Sequence, residues 1–267
     1  MIEPLPLVAY KVLDEQVEAV HRDGYAYLPN VLTEQKIQEL RVAMDVLEPI
    51  PESFDRLQTI EGGAEFFNKS VNNAFNRDFL FTGFLDYPGV IEIAEALHGP
   101  DCHCIGMTAW LTGPGRPAQG LHADWQPLTV PEDIMEDSRF RIPVYITTAH
   151  FYLDDLFAEL GPTAFVPGSH RAGRVPDGDK DYKGVAPKGI YCNAGDAVIF
   201  RSEVWHQGTA NTSSQVRYLL QVHYAQRMIT QKYPPYLNAF QFDSGIVARS
   251  TPRQLRLMGD HQPSNYD

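Results

Sequence analysis

From about residue 100 onward the chain is a succession of short apolar runs: "CIGMTAWLTGPGRP", "RIPVYITTAHFYLDD", "TAFVPGSH", "GDAVIFRS" and "QVRYLLQVHYAQ". Each run is rich in β-branched or aromatic residues and is closed by Gly, Pro, Asn or Asp. Runs this short, broken this often, suit strands better than core helices, and their spacing is that of a sandwich or barrel, with the jelly roll as the leading candidate. A chain of 267 residues is long enough to close such a structure as one domain.

The N-terminal part has a different texture. "VLDEQVEAVHRD" (12–23) places Val12, Val17 and Val20 near a helical spacing, with Gly24 as the stop. "YAYLPNVL" reads as a short strand. A second helix is expected from Thr33 as N-cap, because Ile37, Leu40, Met44 and Leu47 recur at three and four residues. Near the end, "STPRQLRLMG" has a hydroxyl cap, Pro in the first turn and Gly beyond the last, which predicts a short closing helix. The expected organisation is one domain: residues 1–99 mainly helical and packed on the barrel, 100–226 the β core, 227–267 an extension with that helix. Residues 227–245, rich in Pro, Tyr and Phe, carry no periodic signal.

Several function classes are excluded by charge and cysteine usage. A net charge of −12 without any Lys/Arg run opposes the phosphate contacts that nucleic-acid binding needs. No apolar run approaches the roughly 20 residues that cross a bilayer, and the first residues carry no basic stretch followed by an apolar one. Cys102, Cys104 and Cys192 form no C-x-x-C pair and leave an odd thiol, which points to a reducing compartment, the cytoplasm, rather than a disulfide framework. The expected partner is a small-molecule substrate, with no nucleic acid and no membrane, and the protein is expected as a monomer or homodimer.

Chemistry concentrates around "GLHADWQP" (120–127). With nine His and 34 Asp plus Glu, roughly one H-x-[DE] arises by chance, and the chain has two. His21-x-Asp23 falls in a helical pattern, where residues two apart face different ways. His122-x-Asp124 lies in an extended stretch, where residues two apart share a face and can converge on one ion. A redox-active iron needs a third protein ligand and open positions for other molecules. Among His103, His150, His170, His206 and His223, His206 has the best context: it ends the alternating "GDAVIFRSEVWHQG" just before a loop, where a barrel strand delivers a side chain to the mouth. In the next strand Arg217, Leu219, Gln221 and His223 share a face. A charge inside an apolar strand needs a carboxylate, and two readings stand: a structural ion pair, or a planar fork for the carboxylate of an acid cosubstrate.

Taken together, "HAD", "WHQG" some 80 residues on and Arg217 eleven residues after His206 resemble the phytanoyl-CoA dioxygenase family of iron(II)/2-oxoglutarate oxygenases. "HRDGYAYLPNVLTEQKIQEL", "YLDDLFAELGPTAFVPGSHRAG" and "LRLMGDHQPSNYD" are similar to other stretches of that family. The resemblance implies a double-stranded β-helix, a cupin-like jelly roll, with His122, Asp124 and His206 around Fe(II). It implies Arg217 on the distal carboxylate of 2-oxoglutarate and O2 as the oxidant. Gln119, His150 and Lys69 correspond to positions near the cosubstrate; Gly208 replaces a hydroxyl residue, whose part Thr209 is expected to take. Trp125 and Asn72, the latter in "FFNKSVNNAF", are expected at the substrate. Asp124 in place of a small residue speaks against halogenation. The competing reading is a non-catalytic cupin-like barrel that closes a metal's shell with a fourth histidine.

Overall fold

Local signals at the N-terminus become the elements they encode. Helix α1 (Leu13–Asp23) stops at Gly24, whose φ of 93° is open to glycine and whose N–H donates to Val20 O. Strand β1 (Tyr25–Leu28) follows, and Thr33 caps α2 (Glu34–Val46) by accepting from Lys36 N–H. Ile37, Leu40 and Met44, one stripe of α2, are buried. The protein is seen here as a computed structural model that describes residues 2–61, 64–137 and 139–263.

The remaining strands are β2 (Arg56–Glu61), β3 (Ala64–Asn72), β4 (His103–Thr112), β5 (Ile146–Tyr152), β6 (Thr163–Phe165), β7 (Lys188–Gly189), β8 (Ala197–Arg201), β9 (His206–Gly208) and β10 (Arg217–Ala225). Seven of the ten strands form an antiparallel sheet in the order β1-β8-β5-β10-β4-β3-β2. The other three form a small antiparallel sheet in the order β7-β6-β9, and His122 bridges to His206 beside it. Short helices α3 (Phe79–Thr82), α4 (Ile91–His98) and α5 (Glu132–Met135) lie between strands. At the end come α6 (Ser244–Arg249) and α7 (Pro252–Met258), the latter capped by a reciprocal Thr251–Gln254 pair.

The large sheet separates two kinds of interior. On one face, Val71, Ala109, Leu111, Phe151, Leu220 and Val222 join the side chains of α1, α2 and α4 in the main core. On the other, Tyr152, Phe165, Val198, Phe200 and Leu219 fill the space between the sheets. Strand alternation thus sends successive residues of β10 to opposite sides, and Arg217, Leu219, Gln221 and His223 all reach the inter-sheet side.

Two features add to the sequence reading. Residues 1–99 hold more helix than strand, and they also supply β1 at one edge of the large sheet and β2 and β3 at the other. The second pair is hard to read because the inward positions of β3, Asn68, Ser70 and Asn72, are polar, so the apolar alternation of a half-buried strand is missing. Residues 227–245 are organised around an aromatic cluster, with Tyr233 packing at a tilt against Phe75 and Phe240 at ring distances of 5.2 and 4.9 Å.

Candidate metal and cosubstrate site

His122 and His206 lie on two extended segments that exchange backbone hydrogen bonds, His122 N–H to His206 O (2.9 Å) and His206 N–H to His122 O (2.8 Å). Asp124 is placed by its own N–H, which donates to Ser202 O (3.0 Å). Asp124 Oδ1 then stands 3.8 Å from His122 Nε2 and 3.5 Å from His206 Nε2, and the ligand atoms of all three lie within 4.8 Å of one another.

Both rings are held in the orientation a metal needs. His122 Nδ1 lies 2.8 Å from Gly120 O and His206 Nδ1 3.0 Å from Val204 O. A carbonyl only accepts, so Nδ1 carries the hydrogen and Nε2 of the neutral ring keeps its lone pair. Phe165 stacks on His206 at 5.7 Å and Phe200 meets it edge-on at 5.1 Å. Burial raises the Asp124 carboxyl, but the neighbouring His206 outweighs it and holds the group below the usual carboxylate range. Burial lowers His206, and Asp124 overcomes that to raise it; His122 is lowered by burial and by His206. Two imidazole nitrogens and one carboxylate, with no thiolate, suit a first-row divalent ion. Among the described residues no fourth His, Cys, Asp or Glu joins the group. His103, a possible fourth ligand, is bonded instead to His261 and Ile229 O.

A cavity of about 160 Å³ runs from these ligands into the space between the sheets. Its far end holds Arg217, 8% exposed. The guanidinium donates through Nη1 to Gly161 O, but its buried Nε has no partner, and among the described residues no carboxylate pairs with it. Gly161 is in the left-handed conformation (φ 73°), and a Cβ there would stand 2.9 Å from Thr209 O. A larger residue would therefore shift the loop that offers Arg217 its single acceptor. Burial, and then the charge of Arg116 against an opposing contribution from Tyr152, bring the Arg217 guanidinium down to about 10. Among the described residues, then, no ion pair accounts for Arg217, and its guanidinium stands in the cavity wall.

The cavity wall is otherwise wired. Trp110 Nε1–H donates to Gln221 Oε1 (2.6 Å), Gln221 Nε2–H to His150 Nε2 (2.8 Å), and His150 Nδ1–H to Tyr152 Oη (3.3 Å). This chain fixes the His150 tautomer, and burial keeps its ring neutral. His223, whose pKa burial lowers to about 4, has Thr148 Oγ1 at 2.9 Å from Nδ1. His223 also lines the cavity.

Of the residues singled out from sequence, His122, Asp124, His206, Arg217, Gln119 and His150 all line this cavity. Four others do not. Lys69 points to the opposite face of β3, where Nζ donates to Met44 O (2.9 Å) and Asp45 O (2.8 Å) at the end of α2; its neighbour Asn68 lines the cavity. An offset of one residue exchanges the two faces of a strand. Thr209 turns its hydroxyl to Pro162 O (2.7 Å), and the place opposite Gly208 is taken by Gln119, whose Oε1 accepts from Gly208 N–H (3.0 Å). Asn72 is on the cavity face of β3 but is tied to Asp55 and Thr108. Trp125 packs edge-on against Tyr145 at 6.2 Å. Trp110 and Asn68 are cavity residues that no sequence signal marked; Gln221 and His223 were legible only as neighbours of Arg217 on its face.

Two histidines and a carboxylate, with a buried arginine in the same cavity, form a group that could hold one metal ion and leave coordination positions open. The phytanoyl-CoA dioxygenase family model matches residues 20–219. The chain belongs to this family of oxygenase enzymes. It is 31% identical over 147 residues to the dioxygenase hkm4 of Aspergillus hancockii, a match covering 55% of this chain and 44% of that relative. The epimerase SnoN of nogalamycin biosynthesis, solved with Fe3+, α-ketoglutarate and nogalamycin RO, superposes with a TM-score of 0.64 at 19% identity, over 86% of this chain and 92% of that one. HygX of Streptomyces hygroscopicus, solved with nickel and 2-oxoglutarate, gives a TM-score of 0.65 at 14% identity, over 83% and 90%. These two likenesses establish the jelly-roll fold. Among the described residues no helix is long and apolar enough to cross a membrane.

Proposed function

We propose that this chain is an iron(II)- and 2-oxoglutarate-dependent oxygenase that hydroxylates an unactivated C–H bond of a small molecule and releases succinate and CO2. The observation that carries the reading is Arg217: a buried guanidinium, unpaired by any described carboxylate, at the inner end of the cavity whose outer end holds His122, Asp124 and His206. A five-carbon dicarboxylate is the ligand that joins these ends, one carboxylate at the metal and the other at the arginine. Ferrous iron, when bound, supplies activation of O2 coupled to oxidative decarboxylation of the 2-oxo acid.

The chain's own residues do the placing. His122 and His206 present lone pairs fixed by their Nδ1–H bonds. Arg217 orients the cosubstrate, and the Trp110–Gln221–His150–Tyr152 chain keeps the wall rigid and neutral. Phe165 and Phe200 exclude water from the inner side of His206. His223, held beside Thr148, stands in the cavity wall where a substrate oxygen can meet its ring. SnoN solved with nogalamycin RO and HygX solved with hygromycin B support a small molecule as the substrate class.

The test is anaerobic titration of the Fe(II)-loaded protein with 2-oxoglutarate. A weak visible charge-transfer band, followed by succinate release on admission of O2, is expected. Iron demonstrably bound without a band on adding 2-oxoglutarate would overturn the reading in favour of a non-catalytic metal-binding barrel.

A further inference from the structure

We propose that Thr112 and Asn68 complete the seat of the cosubstrate's distal carboxylate beside Arg217, the three side chains forming one row across β10, β4 and β3. This rests on the cosubstrate reading above and adds to it the residues that tell a dicarboxylate from a monocarboxylate.

Register builds the row. Thr112 stands directly opposite Arg217 in the β10–β4 pair and directly opposite Asn68 in the β4–β3 pair. Side chains opposite one another on an antiparallel sheet lie about 5 Å apart on the same face, and all three line the cavity. Thr112 is 4% exposed and Asn68 5%. The end of β4 is pinned at this level. The buried Asn211 donates from Nδ2 to Thr112 O (3.0 Å) and Gln215 O (2.9 Å), which ties β4 to the loop entering β10, and Gly113 N–H donates to Phe67 O (2.9 Å) beside Asn68. Backbone bonds therefore hold the row in place independently of what its side chains bind.

These side chains are open where their neighbours are closed. Trp110 and Thr108, the next residues of β4 on that face, donate to Gln221 Oε1 (2.6 Å) and Asn72 Oδ1 (3.1 Å). Thr163, the cavity's other threonine, is engaged with Tyr152, and Thr209 turns to Pro162 O. Among the described residues, neither the Thr112 hydroxyl nor the Asn68 amide has a hydrogen-bond partner. Buried polar groups are seldom left so, and a ligand in the cavity that bonds them removes the cost of their burial. The row itself names the ligand's chemistry. A guanidinium offers donors alone, and the hydroxyl and the amide each add donors of their own, whereas a carboxylate is an acceptor with about four lone-pair sites. Above Thr112, the shortest of the three, a carboxylate meets the guanidinium on one side, the amide on the other and the hydroxyl beneath. A methyl group in the same seat leaves all three without a partner.

The experiment is calorimetric titration of the Mn(II)-loaded protein with two probes. One is N-oxalylglycine, the amide analogue of 2-oxoglutarate that cannot be decarboxylated; the other is 2-oxopentanoate, of the same chain length with a methyl group for the distal carboxylate. In Thr112→Val and in Asn68→Leu, affinity for N-oxalylglycine is expected to fall about ten- to a hundredfold, with 2-oxopentanoate affinity, Mn(II) affinity and Tm not reduced. Thr112→Ser, which keeps the hydroxyl, should recover most of the loss. Wild-type affinity for N-oxalylglycine in either Thr112→Val or Asn68→Leu would overturn the proposal. So would an equal loss for both probes with a lowered Tm, which would make the row a support of the fold. If wild-type protein binds Mn(II) but not N-oxalylglycine, the cosubstrate reading itself fails and this proposal with it.

Discussion

Replacing Arg217 by methionine separates a binding residue from a structural one by the sign of its effect on stability. In the ligand-free protein the guanidinium is 8% exposed, with Nε unpaired and Gly161 O as its hydrogen-bond acceptor. Its fall from 12.5 to about 10, caused first by burial, corresponds to roughly 3 kcal/mol against the cation. Methionine has similar bulk and removes that cost, while Gly161 O loses a bond worth about 1 to 2 kcal/mol. The metal-free variant should therefore be as stable as the wild type, or more stable by about 1 to 2 kcal/mol. Affinity for 2-oxoglutarate should move the other way, by about 2 to 5 kcal/mol, which is roughly 30-fold to a few thousand-fold. Urea unfolding of the apoprotein measures the first quantity, and anaerobic titration of the Fe(II) form measures the second. A loss of about 3 kcal/mol or more in the apoprotein, the cost of breaking a buried ion pair, would refute the reasoning, as would unchanged 2-oxoglutarate binding.

Asp124→Ala should leave the two imidazoles without their anionic partner, so that Fe(II) affinity drops at least tenfold and oxidation is abolished; retained turnover would remove Asp124 from the ligand set. Lys69→Met breaks two bonds to the end of α2 and should cost about 1 to 3 kcal/mol of stability with less than a twofold change in 2-oxoglutarate affinity, both read by the same unfolding and titration experiments. His98 is lowered to about 4 by burial, the bond to Val144 O opposing. The unfolded chain takes up this proton near pH 6.5 and the folded chain near 4, so the stability it contributes is complete above 6.5 and is lost as pH falls towards 4, by roughly 3 kcal/mol. His98→Gln should flatten that part of the stability–pH curve; an unchanged slope would assign it to other groups.

How much of this was legible beforehand depends on how local each signal is. The helices capped by Thr33 and Thr251 and the stop at Gly24 are written in four or five consecutive residues, because capping is a contact between near neighbours in sequence. The spacing of His122 and Asp124, and the face shared by Arg217, Leu219, Gln221 and His223, follow from strand periodicity alone. Family likeness then joined His206 and Arg217 to that pair.

What local pattern could not decide is which residues meet across segments. Lys69 and Asn68 differ by one position, and only the pairing of Lys69 with Leu111 and of Asn68 with Thr112 settles which faces the cavity. Trp110 enters it from β4, a strand that holds no recognisable chemistry, and β3 hides among polar residues because its inner face lines a polar cavity rather than a core. The strands of the β core and the shared face of His122 and Asp124 were determined by the sequence, since both arise from period-two geometry within one segment. The unpaired state of Arg217, the seat of Gln119 against Gly208 and the wiring of His150 were decided by tertiary structure, because each depends on register between strands far apart in the chain.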